Sequence, residues 1–437
     1  RANSMFAPDP SNSEPLGNIS PSIEDQSHVT TIDLPDQPPP LPRNHLMLSS
    51  RALELLATLI AIPSVNPAYD PESTGEAQVA TFIAAWARSL GLVTARQTVF
   101  PGRDNILVRL EGPSTANAPV LLFESHMDTV SADAMPAAFT PTIREGRLYG
   151  RGACDTKSTM AAMMAAIESL VDDRNALACT IEFLAAVDEE TGGAGVNAYF
   201  EAGACADGAV VGEPTELRVI HAHNGCVRGD ITVIGRAAHT SVAADGINAI
   251  TGMAEVIIAL RDVHAELVDA PGGIAANGSL TVSLIHGGTG INIVPAECTI
   301  SYDRRIVPGQ LPDAVIAEID AAIDTVRASR PDLTIDRATP WLVSPALSTP
   351  LDSAVLVAAS AANRALGLNP DPATVPYGSD ASRLSDPSHS SLGIPAIVYG
   401  PGSIAQAHGA DEYVEIAQLE SATNFYRAVA LNFGKRE

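Results

Sequence analysis

Three short apolar runs in this chain each end in a cluster of charged side chains, and no other feature limits the possible folds as strongly. Pro119 to Phe123 leads into Ser125-His126-Met127-Asp128-Thr129-Val130. Thr180 to Val187 leads into Asp188-Glu189-Glu190-Thr191-Gly192-Gly193, and Ala209 to Val211 into Gly212-Glu213-Pro214-Thr215. Helical periodicity alternates with these runs: Leu53, Leu56, Leu59 and Ile60 lie on one face of a first helix, Val79 to Leu90 form a second, and Ser158 to Leu170 a third. Strands alternating with helices predict an α/β fold with a mostly parallel sheet flanked by helices.

After Pro214 the pattern changes. Val219 to Gly235, Leu280 to Ile285 and Thr299 to Ile306 read as strands, and Ile247 to Leu267 and Ala314 to Arg327 as helices. They predict a smaller inserted α+β domain over roughly 216–331. The α/β pattern resumes with a helix (Ser353 to Leu366), a strand (Ala396 to Tyr399) and a closing helix (Glu415 to Phe433). The organisation expected is therefore an N-terminal arm over 1–44, a first catalytic part over 45–215, the insertion, and a second catalytic part over 332–437. The arm is polar and ends in Pro38-Pro39-Pro40-Leu41-Pro42, a composition that cannot bury a core.

Charge excludes several function classes. The chain carries 51 acidic against 26 basic side chains, a formal net charge of -25. Phosphate backbones and anionic lipid heads should repel it, so neither a nucleic-acid nor a membrane partner is expected. No apolar run approaches the ~18 residues of a membrane span, and residues 1–17 carry no apolar signal core. The five cysteines are too scattered for a disulfide framework or a CxxC metal site, which fits reduced thiols in a cytoplasmic protein.

The charged clusters carry the chemistry. In open α/β sheets, ligands sit at the carboxyl ends of the strands. His126 and Asp128 are two apart and share one side of an extended chain, so Asp128 could fix the imidazole tautomer of a metal-bound His126. A capped strand end with a surface histidine would look the same. Asp155, in Gly150-Arg151-Gly152-Ala153-Cys154-Asp155-Thr156-Lys157, also reads as a plain helix N-cap, although one of only two lysines lies beside it. The three adjacent acids Asp188, Glu189 and Glu190 raise one another's pKa unless cations neutralise them. Counting decides between the readings. His126, Asp155, Glu190, Glu213 and His408 supply two imidazoles and three carboxylates. With Asp155 bridging, each of two metals receives one His, one terminal carboxylate and the shared one, with a position open for water. Mixed N/O ligation suits Zn²⁺ best, with Mn²⁺ or Co²⁺ as alternatives.

These motifs resemble the M20 metallopeptidases and deacylases, which include acetylornithine deacetylase, succinyl-diaminopimelate desuccinylase, aminoacylase-1 and glutamate carboxypeptidase. The resemblance spans about 49 to 437 and keeps the family's motif order: SHMDTV (125–130), GRGACDTK (150–157), DEETGG (188–193), GEPT (212–215), GRAAHTS (235–241) and GPG…AH…DE (400–412). It implies His126, Asp155 and Glu213 on one metal, and Asp155, Glu190 and His408 on the other. It also implies Glu189 as general base and Asp128 as the partner of His126. In the inserted lid domain it implies His239 on the oxyanion, supplied by the neighbouring subunit in dimeric relatives. Substrate contacts are implied for Asn292, for Arg305 as the holder of a substrate carboxylate, and for the Gly378-Ser379-Asp380 loop through Ser379.

The expectation is a dinuclear-metal amidohydrolase that splits an N-acyl amino acid, forming a homodimer through the lid. A di- or carboxypeptidase, another C–N hydrolase, or a catalytically silent binding protein on the same scaffold are the alternatives. His221, His223, His264, His286 and His389 match no ligand position. A globally negative chain should not attract an anionic substrate, so local groups such as Arg305 must capture it.

Overall fold

A computed structural model describes residues 51–112, 118–386 and 393–435. The expected arm over 1–44 and His389 lie outside the described residues. The larger unit is built on a nine-stranded sheet. In spatial order its main strands are Val93–Phe100, Arg103–Leu110, Thr180–Ala186, Val120–His126, Gly208–Val211, Ala396–Val398, Ile220–His223 and Leu347–Ser348, with Ala373–Val375 paired alongside Ile220–His223. The central neighbours run parallel: Val120–His126 with both Thr180–Ala186 and Gly208–Val211, and Gly208–Val211 with Ala396–Val398. Antiparallel pairs flank them, beginning with the hairpin Val93–Phe100 and Arg103–Leu110.

The parallel strands are mostly apolar because both faces are covered, with Glu124 and Glu182 as buried exceptions. Side chains alternate between two cores: Leu121, Phe123, Ile181, Phe183 and Val210 enter one, and Leu122, Leu184, Ala209 and Val211 the other. Helix Lys157–Leu170, rich in Ala and Met, is buried on nearly every side in the first core. A helix apolar all round belongs inside, and this one packs against helices Arg51–Ala61 and Ile416–Asn432.

The smaller unit is a five-stranded antiparallel sheet, with Ser279–Gly287, Glu297–Ile306, Gly225–Ile234 and Thr334–Arg337 in order and Leu342–Ser344 also paired to Gly225–Ile234. Helices Ala249–Asp269 and Pro312–Ser329 cover one face through a core that includes Val227, Ile231, Val256, Ile300 and Ile319. Asn248 caps the first of these helices by accepting the Thr251 N–H at 3.1 Å. Strand pairing overruns the 216–331 range at both ends. Ile220–His223 belongs to the large sheet, and Thr334–Arg337 and Leu342–Ser344 belong to the small one. Asn224 alone separates the strand of one sheet from the strand of the other, so no composition shift marks the crossing. Beside it only glycine fits at 225, since a Cβ there would overlap the Ser344 carbonyl oxygen.

Candidate metal centre

The register of the parallel strands assembles the site. His126 pairs with Ala186, and Glu124 with Val211, so three strands end at one level. Residues 126–128, 188–190 and 212–213 therefore emerge on one rim. His126 Nε2 lies 3.1 Å from Asp155 Oδ1 and 3.9 Å from Glu213 Oε1. His408 Nε2 lies 3.3 Å from Asp155 Oδ2 and 3.3 Å from Glu190 Oε2. Asp155 thus presents one oxygen to each imidazole. Ligand atoms of His126, Glu189 and Glu213 lie within 4.8 Å of one another, as do those of His126, Asp155 and Glu190. All five residues counted as ligands, together with Glu189, meet at this rim.

Each side chain is held from behind. Asp128 is fully buried; it accepts the Asn66 amide at 2.8 Å and the N–H groups of Glu189 and Glu190 at 3.2 Å each. Its own carbonyl accepts from His126 Nδ1 at 3.0 Å, and its Oδ1 is 3.3 Å from that nitrogen. One aspartate thereby fixes both an imidazole and the neighbouring acidic turn. Asp188 holds the left-handed conformation (φ 72) that turns Glu189 and Glu190 inward, and its carboxylate accepts from Thr191, Asn66 and Arg103.

Glu412 does the same for Asp155. Buried, it accepts the N–H groups of Gly152, Cys154 and Asp155 at 2.8–3.1 Å and pairs with Arg151 at 2.6 Å. Glu412 ends the motif over 400–412, where its sequence context assigns it no role, and nothing in the local sequence marks Asn66. The Cys154 thiol is buried and donates to the Ser403 carbonyl, and burial pushes its pKa far up, so it is not a nucleophile.

Electrostatics show what the rim lacks. Burial, then the charges on Asp155 and Glu189, hold Glu213 well above the usual carboxylate range. Glu189 is likewise raised, by burial and then by Asp380 and Glu190 against the opposing pull of His126. Burial alone would lower His126, but Asp128 and Asp155 outweigh it and raise the imidazole well above its ordinary value. Hydrogen bonding to Asp155 and Glu190 lifts His408 to about 10. Glu190 Oε1 is buried without a hydrogen-bond partner. Buried carboxylates crowded around two imidazoles fit divalent cations, which would supply the missing positive charge.

Beside the rim lies a cavity of about 180 Å³ whose walls include Glu189, Glu190, Arg228, Arg305, Ser379 and Asp380. Arg305 and Ser379 thus share a cavity with the acidic turn. The Ser379 hydroxyl is 2.9 Å from Nε2 of the buried His223. His239 and Asn292 do not line this cavity. Ala238–His239 pairs with Ile293–Val294 on the surface of the small unit, where both residues are exposed. His239 Nδ1 lies 2.7 Å from Ser241 Oγ, and the Asn292 carbonyl accepts the Thr240 N–H at 3.1 Å.

Fold and rim together define a metal-dependent hydrolase of C–N bonds. The sequence model of peptidase family M20/M25/M40 matches residues 122–432, and the chain belongs to that family. Solved structures share the fold. Aminopeptidase PepT from Bacillus cereus is 21% identical, with 88% of this chain and 98% of that one covered and a TM-score of 0.70. An M20 family metallo-carboxypeptidase from Sulfolobus solfataricus is 18% identical, with 88% and 99% covered and a TM-score of 0.69. A Bacillus subtilis protein described as a dinuclear metal binding peptidase of the M20 family is 16% identical, with 87% and 97% covered and a TM-score of 0.65.

Proposed function

We propose that this chain hydrolyses the amide bond of an N-acyl amino acid, with His126, Asp155, Glu190, Glu213 and His408 holding two divalent cations. The observation that carries this reading is Asp155, whose two oxygens face the two imidazoles at 3.1 and 3.3 Å. Bound cations supply Lewis acidity toward the scissile carbonyl and lower the pKa of water. Imidazole and carboxylate ligands favour Zn²⁺, then Mn²⁺ or Co²⁺. Glu189 takes the proton of the attacking water on its carboxylate and returns it to the leaving nitrogen. Arg305 and Ser379 face the substrate from the adjoining cavity.

His239 and Asn292 enter through a second copy of the chain. Ser279–Gly287 is an edge strand of the small sheet, and its Leu284 and Ile285 are 55% and 53% exposed. Ile250 and Ile258 expose further apolar surface on the adjacent helix Ala249–Asp269. An open edge with an apolar rim invites pairing, and a homodimer through the lid would carry His239 toward a neighbouring site. Its imidazole would then stabilise the oxyanion. A net charge of -25 argues against nucleic acid and anionic membrane surfaces as partners. No helix of the described residues is long and apolar enough to cross a membrane. All five cysteines are free, which fits a reducing cytoplasm.

A dipeptide or short peptide is the second reading, favoured by the peptidases of the same fold. The test is a hydrolysis screen of N-acetyl, N-succinyl and N-formyl amino acids beside dipeptides, with Zn²⁺, Mn²⁺ and Co²⁺ supplied in turn and bound metal counted. Metal-dependent release of free amino acid from N-acyl substrates supports the main reading. Turnover of dipeptides alone replaces it with the second, and no bound metal with no turnover overturns both.

A further inference from the structure

We propose that Arg228 is a specificity-determining residue that binds, together with Arg305, a single carboxylate of the substrate, while Asp303 positions both guanidinium groups. This deepens the function proposed above and rests on it for the identity of the substrate.

The argument begins with strand register. In the small sheet Arg228 stands opposite Leu342 on one side and Asp303 on the other, and Cys226 stands opposite Ser344 and Arg305. Directly paired residues point to the same face, so Arg228, Asp303 and Arg305 share the face away from the two helices. The intervening Val227 and Arg304 are buried on the helix side. That open face forms a wall of the cavity that also contains Glu189 and Glu190.

Asp303 sits between the arginines. Arg228 Nε donates to its Oδ2 at 2.7 Å, and Arg305 Nε lies 3.0 Å from its Oδ1. Arg228 commits its Nε edge to a hydrogen bond with the aspartate, and Arg305 faces the other carboxylate oxygen through its Nε as an ion pair. Among the described residues neither arginine has another hydrogen-bond or ion-pair partner, so the terminal nitrogens of both stay available. The arginine side chains are 35% and 37% exposed, and the carboxylate between them 22%. Two cations share one anion, leaving one positive charge on this wall. The other ion pair lining the cavity, Arg383 with Asp380 at 3.6 Å, is already balanced. One excess charge and two unspent guanidinium forks match one carboxylate.

Arg228 lines the same cavity as Glu190, whose carbonyl accepts from the Tyr69 hydroxyl at 3.0 Å. A carboxylate held there stays next to the reacting amide. Such local capture is what a chain of net charge -25 needs if its substrate is an anion.

The test compares an N-acyl amino acid, or a dipeptide if that is what the enzyme turns over, with the same compound as its terminal carboxamide. In the metal-loaded wild type the acid should show a KM about 10- to 100-fold lower than the amide, the scale of charge-assisted hydrogen bonds. In R228Q that advantage should fall by about tenfold or more through KM, with kcat and the amide's own KM changing less than threefold. R228K should recover part of it. R228Q and R305Q combined should lose less than the product of their separate losses, since both act on one group. D303N should raise KM for the acid without changing metal content. Equal losses on acid and amide, or none on either, overturn the proposal. Calorimetry of N-acetylalanine and its amide binding to wild type and R228Q needs no turnover. A wild-type preference for the acid that R228Q removes sustains the arginine pair even if the hydrolysis screen fails, and equal binding of acid and amide to the wild type rejects the pair even if the screen succeeds.

Discussion

The cleft is bounded by two sheets that have solved opposite problems. The rim of the large sheet is acidic, buried and tightly braced: Asp128 is fully buried beneath His126, and Glu412 gathers three backbone N–H groups behind Asp155. The facing side of the small sheet is basic and partly open, with Arg228 and Arg305 spread around Asp303. The rim is a cage that needs cations to be electrostatically satisfied, and bracing keeps its geometry fixed while it waits. The lid face needs only an anion, and its long side chains can adjust to one. Chemistry therefore belongs to the rigid region and recognition to the adaptable one, and single substitutions should separate the two.

The largest losses should come from the rim. Asp155→Asn removes the one negative charge that faces both imidazoles, and is expected to abolish turnover and to lower bound metal from two equivalents, as counted by elemental analysis. Glu189→Gln should leave metal content unchanged while kcat falls about 10²- to 10⁴-fold, the range for loss of a general base. Retained turnover in Glu189→Gln would move the base elsewhere. On the lid, His239→Ala should cost about 10²- to 10³-fold in kcat with full metal content. Ile285→Asp, on the open edge strand, should turn a dimer into a monomer on size-exclusion chromatography and reproduce that loss of turnover. A monomer with full activity would show that His239 is not supplied by a partner.

The same contrast governs what could be read from the chain. The strand ends that lead into His126, Glu190 and Glu213 are legible because a strand buried on both faces is a nearly continuous apolar run, and a charged cluster at its end stands out. The hairpin Val93–Phe100 and Arg103–Leu110 leaves no such mark, since polar residues such as Arg96, Gln97, Asp104 and Asn105 interrupt its apolar pattern. The lid's extent was blurred by the uninterrupted stretch through Asn224, where strand Ile220–His223 passes from the large sheet directly into Gly225–Ile234 of the small one. Braces were invisible for another reason. Glu412 reaches Cys154 across 258 residues, and apart from Arg151 its partners are backbone amides, which leave no mark in composition. Arg228 required the register of three strands, and register depends on pairing rather than on any local motif.

Smaller effects should test the braces. Glu412→Ala strips Arg151 of its buried partner and should destabilise the chain by about 3–5 kcal/mol in denaturant unfolding. It should also weaken metal affinity about 10- to 100-fold by releasing the turn that presents Asp155. A loss of stability without any loss of metal affinity would make Glu412 a packing element rather than a brace of the site.

The mildest test falls on the junction between the two regions. His223 is the last residue of its strand in the large sheet, is 1% exposed, and sits one residue before the crossing at Asn224. Burial lowers its pKa to about 4, so it is neutral in the folded chain above that pH, with Nδ1 3.0 Å from the Asn224 carbonyl and Nε2 2.9 Å from Ser379 Oγ. An unfolded chain would bind a proton at that imidazole near pH 6.5, so between about 4 and 6.5 the unfolded state holds more protons and stability rises with pH. The contribution is complete above about 6.5 and is lost as the pH falls through about 4, amounting to about 3 kcal/mol over that window. His223→Gln keeps a hydrogen-bonding side chain without the titration. Unfolding free energies of the metal-free protein, measured at pH 4.5 and 7, should therefore differ less in the variant than in the wild type, by up to that amount. Identical differences would mean that His223 charges freely in the folded chain, and the junction would then not be the closed, neutral contact that separates the acidic rim from the basic lid.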